Sequence, residues 1–426
     1  MLAQGVILRR PRTLGVAARF DANRRADALL GELRRKYGPE PLLVRVGPRR
    51  VVLPLRAEDV HRVLHFPPDV MHPANREKRA VLGHFEPRAV LVTPGAVRAE
   101  RRTLNELVLE TDRPVHRLAD DFHRVIRQEA GTLRAVADGG RPLDWLRFRE
   151  VFQRIVRRIV LGDQAAYDRL LTTLLDRLRH DANWGYAHPR RRDTRLAFQE
   201  RLSGHLDRGE RGSLAAVLAD TPAGPGADPY GQVPHWLFAY DAAGIAAYNC
   251  LALLAAHPEV RDRVRAGLRG ASDAPHAAAG EPLLRACVLE ALRLWPTTLV
   301  ILRDSLADNA VASRGAAVAI VSSFFHRDRE TLGFADRFTP DAWLDDRADP
   351  VHGIVPFSDG PAACPGRNLV LFTVTTLLAE LLGAPGTLRL VPPHPDLGGM
   401  LPHTLDHTRL RFAPAGQSHA GMADSA

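Results

Sequence analysis

The sequence predicts a mainly α-helical protein with a small β-rich region. Three observations carry that expectation. Residues 114–215 are rich in Arg, Leu and Ala with helical patterning; two strongly apolar helical stretches follow in the C-terminal half; and β-like runs are short and confined to the neighbourhoods of residues 42–55 and 300–321. The chain has 426 residues, 45% hydrophobic and 25% charged, a globular composition that excludes disorder or a collagen-like structure for its bulk. Length alone allows one large domain or two to three ordinary ones. No internal repeat or sharp compositional shift divides it, so residues 1–414 are read as a single domain and 415–426, ending in GQSHAGMADSA, as a disordered C-terminal tail.

Taken in order, Leu42–Val46 and Val51–Leu55 flank Gly47-Pro48 and predict a hairpin, with an amphipathic helix from about Ala57. Pro67-Pro68, Pro73 and Pro87 shape a long loop region. The helices of 114–215 are interrupted between Asp181 and Asp193, where Asn183, Gly185 and Pro189 stand. TPAGPGADPYG, from Thr221 to Gly231, breaks the chain before an apolar helix over Trp236–Ala256. That stretch approaches the length of a membrane span. It carries Asp241, Gly244 and Asn249, and an Asp at a bilayer centre costs about 2.5–3.5 kcal/mol, so a buried core helix is the better reading. A helix over Pro282–Leu294 stops at Pro296; Val300–Leu302 and Ala317–Val321 read as strands, a Pro- and Asp-rich meander runs to Pro350, and a last helix covers Arg367–Leu382. The first twenty residues lack the continuous apolar core of a signal peptide and offer no membrane anchor, which predicts a cytoplasmic protein.

The net charge is +9, and all but two of the 58 basic residues, Lys36 and Lys78, are arginine. An arginine excess can mark a phosphate-binding surface or simply a coding bias. Here the arginines are interleaved with acids and the densest clusters are short, so the bias is favoured and nucleic acid is not expected as a partner. Three cysteines, Cys250, Cys287 and Cys364, cannot form a disulfide framework and point to a reducing compartment.

The most informative segment is Phe357-Ser-Asp-Gly360-Pro-Ala-Ala-Cys364-Pro365-Gly366-Arg367. One cysteine stands between glycines ahead of an apolar helix. Pro365 suits a first helical position, and the N–H groups and positive dipole end of that helix would favour a thiolate, the metal-ligating form. Gly360 and Gly366 permit positive φ or a close approach to a flat ligand, and Phe357 would shield the sulfur. Read alone, Cys-Pro-Gly is also compatible with a capping turn around an inert cysteine.

The spacing Phe357-x-x-Gly360-x-x-x-Cys364-x-Gly366 resembles the haem-ligand loop of the cytochrome P450 superfamily. Upstream, Glu290-Ala-Leu-Arg293 matches that family's Glu-x-x-Arg, and Arg337 resembles the third member of its structural network. The resemblance extends from the hairpin near residue 42 to about Pro414 and implies the P450 fold, a large helical domain with a small β-rich region. It implies haem b, with Cys364 as axial thiolate ligand to iron, and Arg303 and Arg101 at the propionates. It also places the substrate pocket among Met71–Val92, Trp184, Phe238, Ala242 and Thr297–Ile301.

Three departures stand out. Val97 replaces the Trp or His that precedes the propionate arginine, and Ala362 stands where His or Arg is usual before the cysteine. On the apolar helix Asp241 matches the family's distal acid, but its threonine is replaced by Ala242, followed by Ala243. In the family that acid and alcohol deliver protons to dioxygen. Asp241 without the hydroxyl would work through water or a substrate hydroxyl, or would serve only to cap or pair within the helix. The resemblance therefore implies a monooxygenase that inserts one oxygen atom of O2 into a hydrophobic small molecule. Its electrons would come from a separate ferredoxin and reductase or equivalent, because the chain has no flavin- or nicotinamide-binding fingerprint; Arg367 would help dock the acidic partner. The alternatives are peroxide-driven oxidation or rearrangement, which the missing alcohol motivates, and a non-enzymatic basic binding module.

Overall fold

The computed structural model describes residues 11–270, 280–383 and 388–415; the expected C-terminal tail lies almost wholly outside them. The helices are α1 (Pro11–Arg19), α2 (Ala22–Tyr37), α3 (Ala57–His65), α4 (Arg76–Leu82), α5 (Ala96–Leu109), α6 (Ala119–Asp138), α7 (Trp145–Leu161), α8 (Arg169–Ala182), α9 (Arg192–Arg208), α10 (Leu214–Asp220), α11 (Pro229–Ala256), α12 (Pro258–Gly270), α13 (Pro282–Leu294), α14 (Ser322–His326) and α15 (Arg367–Gly383). The strands are β1 (Leu42–Val46), β2 (Arg49–Leu53), β3 (Met71–His72), β4 (Leu143–Asp144), β5 (Val300–Ser305), β6 (Ala317–Val321), β7 (Leu388–Leu390) and β8 (Arg411–Pro414). One sheet has the order β1-β2-β6-β5-β3 and a smaller one the order β4-β8-β7. The fold is thus mainly α with a small β-rich region.

The central element is α11. Its apolar residues are distributed all around the helix, as expected of one enclosed by other helices rather than lying on a surface, and it packs on α7, α13 and α15. It is long and apolar enough to cross a membrane, yet most of it is buried inside the protein. It also starts earlier than its apolar run suggests. Asp228 caps it by accepting from the Gly231 N–H at 3.2 Å, and Pro229 takes the first helical position, where a missing N–H costs nothing. The end of the Thr221–Gly231 breaker is therefore the start of the helix.

A buried ion pair on α13 organises the C-terminal half. Glu290 and Arg293 are both fully buried. Glu290 accepts from Arg293 Nε (2.7 Å) and Nη2 (2.8 Å), from the Thr339 N–H (2.8 Å) and from Trp343 Nε1 (2.9 Å). The remaining donors of Arg293 go to the carbonyls of His326, Ala335, Phe334 and Arg337. Arg337 enters this network through its backbone carbonyl, while the residue itself is exposed. Trp343 and the buried Ala342 fill the place opposite Glu290. The order of the meander, which the sequence shows only as scattered Pro and Asp, comes from these bonds.

His326 extends the network. Its Nε2 accepts from the Val355 N–H at 3.0 Å, so the chain entering the Cys364 loop hangs from this ring. Burial, reinforced by the charge of Arg293, pushes the imidazole down to about 3. The ring is neutral in the folded protein, with its proton on Nδ1. A His whose folded pKa lies below its unfolded value stabilises the fold above the unfolded pKa, and that contribution is lost as pH falls toward the folded one.

Stability measured by denaturant unfolding should therefore decline progressively from about pH 6.5 to about pH 3, by several kcal/mol from this group alone. His326→Gln, which keeps an acceptor but cannot charge, should flatten that slope; an unchanged slope refutes the assignment. Arg293→Met leaves Glu290 charged and unpaired in the core, and should cost about 3–5 kcal/mol in the same measurement at neutral pH.

Candidate functional site

The Phe357–Gly366 loop is held from three sides. Within it, the Cys364 N–H donates to the Phe357 carbonyl at 2.9 Å, and Asp359 accepts from the Gly360 N–H at 2.8 Å. From α5, Arg102 donates to the Ala363 carbonyl at 2.6 Å; just beyond the end of that helix, Thr111 donates to the Pro365 carbonyl at 2.8 Å. From α3, the Leu64 carbonyl presses on Gly360: a Cβ there would lie 2.3 Å from that oxygen, and φ is +64°. Gly360 is glycine because backbone conformation and backbone packing both demand it. Gly366 is different, since a Cβ there would make only ordinary contact with Leu109, and the protein itself does not require glycine at that position.

Helix α15 begins at Arg367, and Pro365 stands in the turn ahead of it rather than at its first position. The Gly366 N–H bonds the Cys364 sulfur, and Arg102 and Arg367 also favour the thiolate, but burial outweighs them and pushes the thiol above its usual range. A helix terminus alone does not ionise this cysteine; a metal cation at the sulfur would. Phe357 is partly buried, with the Arg367 guanidinium 5.9 Å from its ring centroid.

Beside the loop lies a set of cations that have no ion-paired acid among the described residues. Arg303, on β5, is 3% exposed and donates only to the Leu302 carbonyl (3.1 Å) and Ser358 Oγ (3.2 Å). Burial, then repulsion from Arg98, lowers it to about 10. Arg98 is buried with its Nε unpartnered, and burial and Arg102 lower it as well. Among the described residues neither Arg98 nor Arg303 has a carboxylate within ion-pair distance. Lys78 is partly buried close by, with its ammonium bonded to the Pro73 and Leu302 carbonyls, and is pushed well below the usual lysine range by desolvation and Arg303. His72 Nε2 is likewise buried and unpartnered. Buried guanidinium groups without counter-charge are costly, so this cradle is complete only with an anionic ligand. The two carboxylates of a haem, set beside a cysteine sulfur, have that chemistry.

Arg101 stands elsewhere. Its Nε donates to the Gly226 carbonyl at 3.1 Å and its Nη1 to Thr93 at 2.5 Å, with Asp228 at 4.0 Å, which ties α5 to the start of α11. On α5, Arg102 reaches the Cys364 loop and pairs with Glu106 at 2.5 Å, while Arg98, one turn earlier on the same face, lies near Arg303. Their i,i+4 spacing, legible in the sequence, puts two like charges on one helix face.

On α11, Asp241 is clamped. Arg179 of α8 donates to it at 2.5 Å and Arg149 of α7 lies at 3.9 Å, while both arginines also pair with Asp176. Arg149 is partly buried, which disfavours its charge, but Asp241 and Asp176 raise its pKa. The Arg179 guanidinium sits 5.1 Å from the ring of Phe238, which meets Phe85 edge-on at 5.2 Å. Ala242 is partly exposed and Ala243 buried. Tyr240 hydrogen-bonds Thr373 of α15 at 3.3 Å and, because Thr373 donates to the Leu369 carbonyl, the phenol is the donor. Burial holds that phenol neutral. Sequence reading also passed over His235, bonded to the buried Glu86 at 3.0 Å one turn before Phe238. Burial disfavours its charge, but Glu86 more than compensates and raises its pKa.

Comparison with known proteins agrees with this arrangement. The Cytochrome P450 family model matches residues 239–384. Cytochrome P450 714C3 of Oryza sativa subsp. japonica is 34% identical over 156 residues, covering 34% of this chain and 30% of that protein. Cyclooctat-9-en-7-ol 5-monooxygenase of Streptomyces melanosporofaciens is 32% identical over 150 residues, covering 33% and 32%. The matched segment thus spans about a third of these relatives' lengths. Among solved structures, retinoic acid bound cyanobacterial CYP120A1 superposes with a TM-score of 0.72 at 17% identity, covering 90% of this chain and 93% of that one. A zebra fish cytochrome P450 with progesterone gives 0.70 at 15%, covering 91% and 99%. Residues 239–384 are similar in sequence to the cytochrome P450 family, and the chain has the cytochrome P450 fold. The family match and the fold together imply a haem cofactor with a cysteine thiolate ligand.

Gly360→Ala should cost about 1–3 kcal/mol of stability, because a left-handed backbone and the Leu64 carbonyl oppose the added methyl group. Gly366→Ala in the haem-free protein should change stability little. Thermal unfolding of the two variants side by side checks the distinction, and equal losses would contradict it.

Proposed function

We propose that this chain is a haem-thiolate monooxygenase that inserts one oxygen atom of O2 into a hydrophobic small molecule, the other leaving as water. Cys364 holds the iron, with Phe357, Gly360 and Gly366 shaping its loop, and Arg303 and Arg98 anchor the propionates. The observation that carries this reading is the pair of buried arginines without a carboxylate beside the cysteine loop. The haem supplies oxygen activation, and the thiolate's electron donation favours O–O cleavage. The protein's own residues bind the substrate, hold the sulfur and move protons.

Proton movement falls to Asp241. Its carboxylate is bonded to Arg179, so carrying a proton inward requires it to exchange that arginine for water. Ala242 and Ala243 offer no hydroxyl beyond it, and a water or a hydroxyl of the substrate takes that place. This supports substrate-assisted monooxygenation, with electrons delivered by a ferredoxin and its reductase. The same absence motivates a second reading, peroxide-driven oxidation or rearrangement. The partly buried Phe238, edge-on to Phe85, supports a hydrophobic substrate. So do the relative that is named for cyclooctat-9-en-7-ol and the neighbouring structures with retinoic acid and progesterone. The burial of α11 supports reading it as a core helix and the protein as cytoplasmic.

The purified protein should bind haem and give the reduced carbon-monoxide spectrum of a thiolate-ligated iron. Cys364→Ala should abolish that spectrum, and Arg98→Ala with Arg303→Ala should speed haem loss. A spectrum that survives Cys364→Ala sinks the assignment. Product formation with O2, ferredoxin and reductase, compared with hydrogen peroxide alone, separates the two reactions.

A further inference from the structure

The loop that carries Cys364 has a second cluster of ligand-type side chains on its outer side. His61 and His65 lie at i and i+4 on α3, so both imidazoles leave one helix face. Their rings stand side by side with centroids 3.9 Å apart and planes inclined at 31°. Asp359, from the loop, completes a group whose donor atoms all lie within 4.8 Å of one another.

The hydrogen bonds around this group leave the right atoms free. His65 Nδ1 lies 3.0 Å from the His61 carbonyl. A carbonyl only accepts, so the proton is on Nδ1 and Nε2 presents its lone pair. That Nε2 is 3.6 Å from Asp359 Oδ2. The other oxygen, Oδ1, is occupied by the Gly360 N–H, which orients the carboxylate and leaves Oδ2 available. Such outer hydrogen bonds, which fix a tautomer and a carboxylate, are the second shell of a metal site. With metal–ligand bonds of 2.0–2.2 Å, ligand atoms in tetrahedral zinc sites stand about 3.4 Å apart. The His65–Asp359 pair is already near that spacing, and His61, exposed on α3, needs only a side-chain rotation to close the set. The backbone contact between Leu64 and Gly360 keeps helix and loop at this separation.

We propose that His61, His65 and Asp359 bind one divalent transition-metal ion of the zinc class and thereby clamp α3 to the Cys364 loop. Two imidazoles with one carboxylate suit zinc, nickel or copper better than calcium or magnesium, which prefer all-oxygen sets. The exposure of the histidines gives the ion a path in and leaves water to complete its coordination. The site is separate from Cys364 and does not depend on haem.

The test is calorimetric titration of zinc chloride into untagged, chelator-stripped full-length protein. One equivalent should bind with a micromolar or tighter dissociation constant. His61→Gln and Asp359→Asn should each weaken binding at least about tenfold, whereas His394→Gln, an exposed control, should not. In parallel, hydrogen exchange of residues 357–366 should slow several-fold on adding zinc to the wild type and not to His61→Gln. Absence of saturable binding, or binding that His61→Gln leaves intact, means that the pair is an ordinary His–Asp contact; zinc binding without loop protection overturns the clamp.

Discussion

The rest of the structure hangs on two charges that cannot reach water. Glu290 and Arg293 are fully buried, and neither would be tolerated alone. Together they are satisfied only if the carbonyls of His326, Phe334, Ala335 and Arg337 and the donors of Thr339 and Trp343 all arrive at one point. The pair's contribution is therefore geometric as much as energetic. It makes one arrangement of a proline- and aspartate-rich segment much better than its alternatives. Through His326 and Val355 that arrangement is passed on to the Cys364 loop.

The loop itself is determined by steric and electrostatic demands of different origin. Gly360 answers to the protein, because Leu64 leaves no room for a side chain. Cys364 is not ionised by its surroundings, since burial outweighs its N–H bond and the nearby arginines. Arg98 and Arg303 repel one another in a place where, among the described residues, neither has an ion-paired acid. These features are unfavourable as a set, and the haem of the proposed function would supply the counter-charges they lack.

On the opposite side, α11 offers a carboxylate that is already engaged. Asp241 belongs to a cluster with Arg149, Asp176 and Arg179 in which two carboxylates balance two guanidinium groups. Any proton traffic through it competes with Arg179, a residue of a different helix that also covers Phe238. In the proposed function, substrate contact and proton supply would thus meet at one guanidinium of α8.

Much of this was legible in the chain. The hairpin, α3, α13, β6 and α15 follow from periodicity, glycine and proline, because local backbone preferences and one-sided burial decide them. Cys364, Phe357 and Gly360 are legible from spacing, since a tight loop needs its residues at fixed offsets. Long-range partners are not. Nothing local tells that Arg101 turns toward Gly226 while Arg102 reaches the cysteine loop, that Arg337 contributes a carbonyl rather than a guanidinium, or that Asp241 is bound by two arginines from α7 and α8. With so many arginines, sequence separation carries no information about which acid each one meets. Which cation keeps a partner and which is left for a ligand is decided only when distant helices close around a water-free interior, where an unpaired charge is too costly to leave to chance.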